Sequence, residues 1–280
     1  MLPKVLWLAG LLTSAVTVMA KPTVRFGCGT PEPTEEDLAN TRVLAALEGE
    51  AARSGVMASF ANIVVPTYFH VVAGSTSLAD GYLTDKMLND QLDVINSDFA
   101  PLGISFSLQG ITRTVNTRWS RDQDELQMKQ SLRRGDYKTL NVYFVRDLGG
   151  NLGYCYFPTT ASPGSTAFIR DGCTVHFDTV PGGGFTGYNL GKTATHEIGH
   201  WFNLYHTFQG GCTGSGDQIA DTPAQSSPSS GCPRGRDSCP NHAGLDPIHN
   251  YMDYSNDACY EEFTQGQRVR MHSAWNTLRV

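Results

Sequence analysis

The chain contains no Asn-X-Ser/Thr triplet, so an N-linked glycan has no acceptor on it. Positive charge is scarce as well: 21 Lys and Arg stand against 27 Asp and Glu, for a net charge of −6. Without a basic field to neutralise phosphates, a nucleic-acid partner is excluded. Long apolar runs are missing after the first twenty residues, so no membrane-spanning helix is expected. Residues 6–20 are apolar, follow Lys4 and end Val18-Met19-Ala20, with small or apolar residues where a signal peptidase cuts. Residues 1–20 therefore read as a signal peptide, and a secreted, extracellular product is the expectation.

Cysteine is present, and odd in number. Seven in an exported chain argue for disulfides with at least one thiol left over. Six lie beyond residue 150, which alone allows fifteen pairings. Of these, Cys155 and Cys173 stand 18 positions apart and form the natural local pair. Cys28 stands alone in Arg25-Phe26-Gly27-Cys28-Gly29. A thiolate in a glycine-flanked loop suits a metal ligand that displaces water; the alternatives are an accidental free cysteine or an inter-chain bridge.

The stretch His196-Glu197-Ile198-Gly199-His200-Trp201-Phe202-Asn203-Leu204-Tyr205-His206 organises the rest. On a helix, His196 and His200 project from one face a turn apart, where one zinc ion accepts both, and Glu197 reaches water on that metal. A continuous helix would carry His206 off that face. Asn203 resolves this, because Asn tolerates the left-handed conformation that ends a helix and turns the chain back. Three histidines leave a fourth position open, as catalytic rather than structural zinc requires.

The flanking sequence predicts an α/β fold. Residues 21–55 are acidic, with three early prolines and one short helix capped by Thr34 and Asp37, and read as a propeptide released near residues 50–57. A strand over 63–72 is followed by a helix over 84–99, a strand over 103–114, a short helix over 122–132 and a strand over 140–145. This alternation implies a largely parallel sheet. Segments 153–157, 166–169 and 173–177 are short strand candidates, one of them an antiparallel edge. His70 within the first strand reads as a core histidine. Gly191-Lys192-Thr193 is no phosphate loop, since Thr186 stands where that motif needs glycine. The zinc helix is expected over 190–203 and a final helix, capped by Thr264 and Gln267, over 264–275. Between them residues 209–249 lack apolar periodicity and need disulfides or a bound ion. The acids Asp217, Asp221, Asp237 and Asp246 suit calcium or simply form a charged loop.

The eleven-residue motif, taken with Tyr251-Met252-Asp253-Tyr254, resembles the metzincin zinc endopeptidases, and within them the pappalysin-like family that includes ulilysin and secreted fungal metalloproteases. The similarity covers roughly residues 25–276. It implies an α/β (α+β) zincin with a signal peptide (1–20), a propeptide (21–55) and a catalytic domain (56–280). The upper subdomain, 56–206, would hold a twisted mixed sheet, a backing helix and the active-site helix; the lower, 207–280, would be irregular, disulfide-clamped and closed by a helix. His196, His200 and His206 resemble the zinc ligands, Glu197 the general base, Met252 the methionine floor beneath the metal, and Tyr254 the tyrosine that stabilises the transition state. The resemblance also implies the disulfides Cys212–Cys239 and Cys232–Cys259, Cys28 as zinc ligand of a latent zymogen, calcium at Asp221, and protein or peptide substrates bound extended in the cleft. The propeptide would be an intramolecular inhibitor. The chain departs at Asn203, where the family motif has glycine. Two rivals remain: a catalytically impaired secreted metal-binding relative, and a zinc hydrolase taking its third ligand from Glu261 or Glu262.

Overall fold

The computed structural model describes residues 27–53 and 60–280. The expected signal peptide, Arg25 and Phe26, and residues 54–57 of the expected release region lie outside the described residues. A helix, α1 (Glu35–Arg53), comes first, its N-terminus closed by Thr34 and Asp37: Asp37 accepts from the Thr34 N–H at 2.8 Å, and the Asp37 N–H donates to Thr34 Oγ1 at 3.2 Å.

Five strands follow in one sheet: β1 (Ile63–Ala73), β2 (Ile104–Val115), β3 (Leu140–Val145), β4 (Gly153–Cys155) and β5 (Cys173–His176). Their order is β2-β1-β3-β5-β4, with every pairing parallel except β4 on β5. Pro66 precedes Thr67, where β3 joins β1, so its missing N–H costs no bond to that strand. The pleat sends Val65, Phe69 and Val71 toward one face and Val72 toward the other. On the first face lie α2 (Asp85–Phe99), through Leu88, Ile95 and Phe99, and α5 (Lys192–Trp201), through Ala194 and Ile198. The second face is covered by α3 (Glu125–Leu132), through Met128 and Leu132. Helices on both faces explain why β3 is buried along its whole length. None of the helices among the described residues is long and apolar enough to cross a membrane.

Two expectations need correction. Residues 166–169 form a helical turn, α4 (Thr166–Arg170), not a strand, because Ser165 caps it by accepting the Phe168 N–H at 3.2 Å. The helix expected from 122 begins only at Glu125, since Asp122 and Asp124 sit at φ 55° and 63°.

The second half is irregular until α6 (Gln265–Thr277), whose capping box uses Thr264 and Gln267 as expected. Disulfides join Cys155–Cys173, Cys212–Cys239 and Cys232–Cys259. The first ties opposite residues of β4 and β5. The other two interleave, each closing 27 positions, and by chain entropy each restricts the unfolded loop by about 3.5 kcal/mol.

His70 is a core residue, as expected. It is buried between Thr112 Oγ1 (2.7 Å from Nδ1) and Asn141 Oδ1 (2.9 Å from Nε2). Burial drives its pKa down to about 4. The folded state therefore excludes a proton that the unfolded chain takes up below about pH 6.5. The neutral ring's contribution is complete above that pH and is lost as pH falls toward 4. On the order of 3 kcal/mol is at stake. Replacing His70 with glutamine should flatten the fall of urea-unfolding stability between pH 6.5 and 4.5; an unchanged pH slope would contradict this.

Candidate active site

The site begins with how α5 ends. Asn203 adopts φ 70°, the left-handed conformation its identity suggested. The Leu204 N–H then donates to Gly199 O at 3.0 Å and the Asn203 N–H to His200 O at 2.9 Å, the paired bonds of a Schellman motif. This reversal carries His206 back beneath the helix. Nε2 of His200 lies 3.2 Å from Nε2 of His196 and 3.1 Å from Nε2 of His206.

Backbone carbonyls aim the rings. His196 Nδ1 is 2.7 Å from Tyr251 O, and His200 Nδ1 is 2.7 Å from Leu204 O. Each Nδ1–H must donate there, which leaves the Nε2 lone pairs pointing at one another. Burial also keeps the rings neutral: it brings His200 down to about 4 and holds His196 and His206 well below the ordinary histidine value. Converging lone pairs on buried neutral rings repel unless a cation lies between them. Tetrahedral zinc with Zn–N of about 2.0–2.1 Å places its nitrogens roughly 3.3 Å apart, close to the spacing found. The donor set therefore fits zinc, and Cys28 Sγ, 3.5 Å from His200 Nε2, completes four converging ligand atoms.

Glu197 is fully buried beside this cluster. Burial pushes its pKa up to about 8, against the hydrogen bonds from Cys28 and Thr30 that favour the charged form. Its Oε2 accepts from Cys28 Sγ at 3.4 Å and Thr30 Oγ1 at 3.2 Å, while Oε1 has no hydrogen-bond partner. Met252 packs against α5, with its sulfur against Gly199. Tyr254 adjoins the same cluster: its OH is 3.3 Å from His206 Nε2 and accepts the Cys28 N–H at 3.3 Å. Burial raises its pKa, so the phenol stays protonated.

Residues 27–30 lie along β4 as an added strand, bridging in parallel at Gly153. The Leu152 N–H donates to Gly27 O and the Gly29 N–H to Gly153 O, both at 2.7 Å. The side chain of Thr30 fastens this strand too, accepting the Cys155 N–H at 3.0 Å.

The structure thus brings together His196, Glu197, His200, His206, Met252, Tyr254 and Cys28. Asp221 is elsewhere: its oxygens accept from Thr264 Oγ1 and the Gly266 N–H, both at 2.7 Å, so it closes the start of α6 and has no place in the metal cluster. Glu261 and Glu262 are exposed and also outside it. A second grouping, Cys232, His249 and Cys259, has both sulfurs committed to a disulfide.

Several residues of the site escaped sequence reasoning. A Cβ on Gly199 would lie 2.4 Å from Met252 Sδ, and one on Gly153 would lie 2.7 Å from Glu197 Cγ. Both glycines are needed for close approach. Glycine inside a helix, unfavourable by about 1 kcal/mol relative to alanine, was the available signal for Gly199. Asp98 of α2 left no such signal: it binds Lys192 Nζ and Thr195 Oγ1 at 2.6 Å and Tyr251 OH at 3.0 Å. It thereby steadies the residue whose carbonyl aims His196.

Comparison with known proteins agrees with this geometry. The peptidase M43 family model, described as pregnancy-associated plasma protein-A, matches residues 130–276. An extracellular metalloprotease of Colletotrichum graminicola is 65% identical over 98% of this chain and 96% of its own length. Extracellular metalloprotease 1 of Coccidioides posadasii is 59% identical over 91% of each. Among solved structures, mature mirolysin of Tannerella forsythia in complex with a cleaved peptide superposes with a TM-score of 0.67 at 30% identity, covering 78% of this chain and 93% of that one.

Proposed function

The chain belongs to the M43, pappalysin-like family of zinc-dependent metalloendopeptidases, secreted enzymes acting on proteins, and from that premise we propose that it is made as a latent zymogen whose catalytic residues are Glu197 and Tyr254. The observation that carries the proposal is the convergence of three histidines on one point, two of them aimed by backbone carbonyls, beside a buried carboxylate and a protonated tyrosine.

His196, His200 and His206 would hold the zinc. When bound, it supplies Lewis-acid polarisation of the scissile carbonyl and activation of water at neutral pH. Glu197 accepts the proton of the attacking water at its carboxylate and returns it to the leaving amine. Its burial against β4 keeps bulk water from competing for that proton. Tyr254 OH donates to the oxygen on which negative charge develops, a bond that strengthens as the reaction proceeds. Gly153, lacking a side chain, lets the β4 backbone pass directly over Glu197. An extended peptide adding to this edge obtains main-chain hydrogen bonds from the same groups that now bind residues 27–30.

Residues 21–55 are then a propeptide, and Cys28, on losing its proton to the metal site, would fill the fourth metal position as a thiolate. The catalytic domain would run from about residue 56, its subdomains meeting after His206. Calcium at Asp221 would share the carboxylate with Thr264 and Gly266, which already donate to it.

Full-length protein tested on denatured casein, with fragments read by mass spectrometry, examines the proposal. Wild type should be nearly silent until its N-terminal segment is cut. Cys28→Ala should cut casein at least tenfold faster without that cut, by freeing the metal position and removing one of the two donors on Oε2 of Glu197. Failure of both proteins to cut casein after the segment is removed would overturn the proposal.

A further inference from the structure

The helix α1 makes contacts that the thiol–metal contact does not require. Its residues Thr41, Leu44 and Glu48 share one face, at the i, i+3, i+7 spacing of a helix. All three meet a surface formed by the turn after α5 and by α6. Thr41 is fully buried and its hydroxyl is saturated: Oγ1–H donates to Asp37 O at 2.8 Å, while Asn203 Nδ2 at 3.1 Å and Tyr205 OH at 2.8 Å donate to it. Leu44 packs with Ala274 and Leu278 in a separate apolar cluster. Glu48 takes a forked pair of bonds from Arg270, whose Nε lies 2.9 Å from Oε1 and whose Nη2 lies 3.0 Å from Oε2. Arg270 is itself buried, so α1 supplies the only carboxylate bonded to its guanidinium among the described residues.

We infer that Asn203, Tyr205, Arg270, Ala274 and Leu278 form a helix-recognition surface, separate from the metal, that holds α1 as a second anchor of the propeptide. The inference rests on the proposal that residues 21–55 are a propeptide. It gives Asn203 a function that glycine cannot supply: Asn adopts the left-handed turn with more strain, yet its amide reaches across to Thr41. The two anchors are joined by residues 29–40 but rest on different groups, the metal ligands for one and α6 with the turn after α5 for the other. Breaking the thiol–metal contact therefore leaves α1 docked, and complete release needs both anchors to fail. Tyr205 also packs edge-on to Phe157, which packs edge-on to His200, so the surface adjoins the site without sharing its ligands.

Hydrogen exchange of the α1 amides, followed by mass spectrometry on the zinc-loaded full chain, tests this. Thr41→Val with Glu48→Gln should accelerate exchange over residues 35–53 roughly 100-fold, since a buried hydroxyl network and a charged fork are both lost. Cys28→Ala, or chelation of the metal, should change it less than about threefold. Asn203→Gly, which relieves the backbone and so keeps the fold, should accelerate it roughly fivefold. The inference is overturned if the double variant exchanges as wild type does, if Cys28→Ala frees α1 as fully as the double variant, or if Asn203→Gly has no effect. Exchange needs no catalysis, so a chain that cleaves nothing would count against the peptidase proposal and leave this anchor standing.

Discussion

Glu197→Ala is expected to retain one zinc per chain and to lower kcat on a protein substrate by about 10²–10⁴-fold once the propeptide is removed, the range lost with a positioned general base. The carboxylate touches none of the carbonyls that aim the histidines, so the metal should stay. Tyr254 cannot take its place, because burial keeps the phenol protonated and hence a donor. A second consequence follows from the same burial. Glu197 Oε1 has no hydrogen-bond partner, and desolvation already pushes the group's pKa to about 8. Removing the group relieves that penalty but also strands the donors Cys28 Sγ and Thr30 Oγ1, so the full-length inactive variant should melt close to wild type. Hydrolysis at the wild-type rate would sink Glu197 as the base.

His206→Ala should weaken zinc binding by more than about 100-fold, the upper range for losing a mere outer partner of a ligand. His196 and His200 are held on one helix and would still present two nitrogens 3.2 Å apart. Two nitrogens do not hold zinc against a competing chelator as three do, and activity should fall with occupancy. Competition with a chromophoric chelator measures the first effect, casein hydrolysis the second. Full occupancy with full activity would mean that the third ligand lies elsewhere. Glu261 and Glu262, the sequence's alternatives, would need to leave solvent to serve.

Much of this site was legible because the information is local. The spacing of His196 and His200 specifies a helical face, and Asn203 announces the turn that brings His206 under it; its φ of 70° bears this out. Cys155 and Cys173 were paired by proximity in the chain, and the other two disulfides through the family resemblance. What escaped was tertiary. Gly153 and Gly199 matter only because Glu197 and Met252 arrive from other elements to occupy the space a Cβ would fill. Asp98 acts through Lys192, Thr195 and Tyr251, which lie about 90 to 150 residues away along the chain. Counting acids could not reveal that Asp221 closes the start of α6. Residues 166–169 were misassigned because a single turn is too short for helical periodicity to register, and Ser165 settled it with one bond.

The most direct test is to measure zinc content and casein hydrolysis on the same samples while a chelator strips the activated enzyme. One zinc per chain is expected at the start, with activity that falls in proportion to the remaining zinc until both are gone and recovers when zinc is returned. Casein hydrolysis that persists in protein emptied of zinc would contradict this.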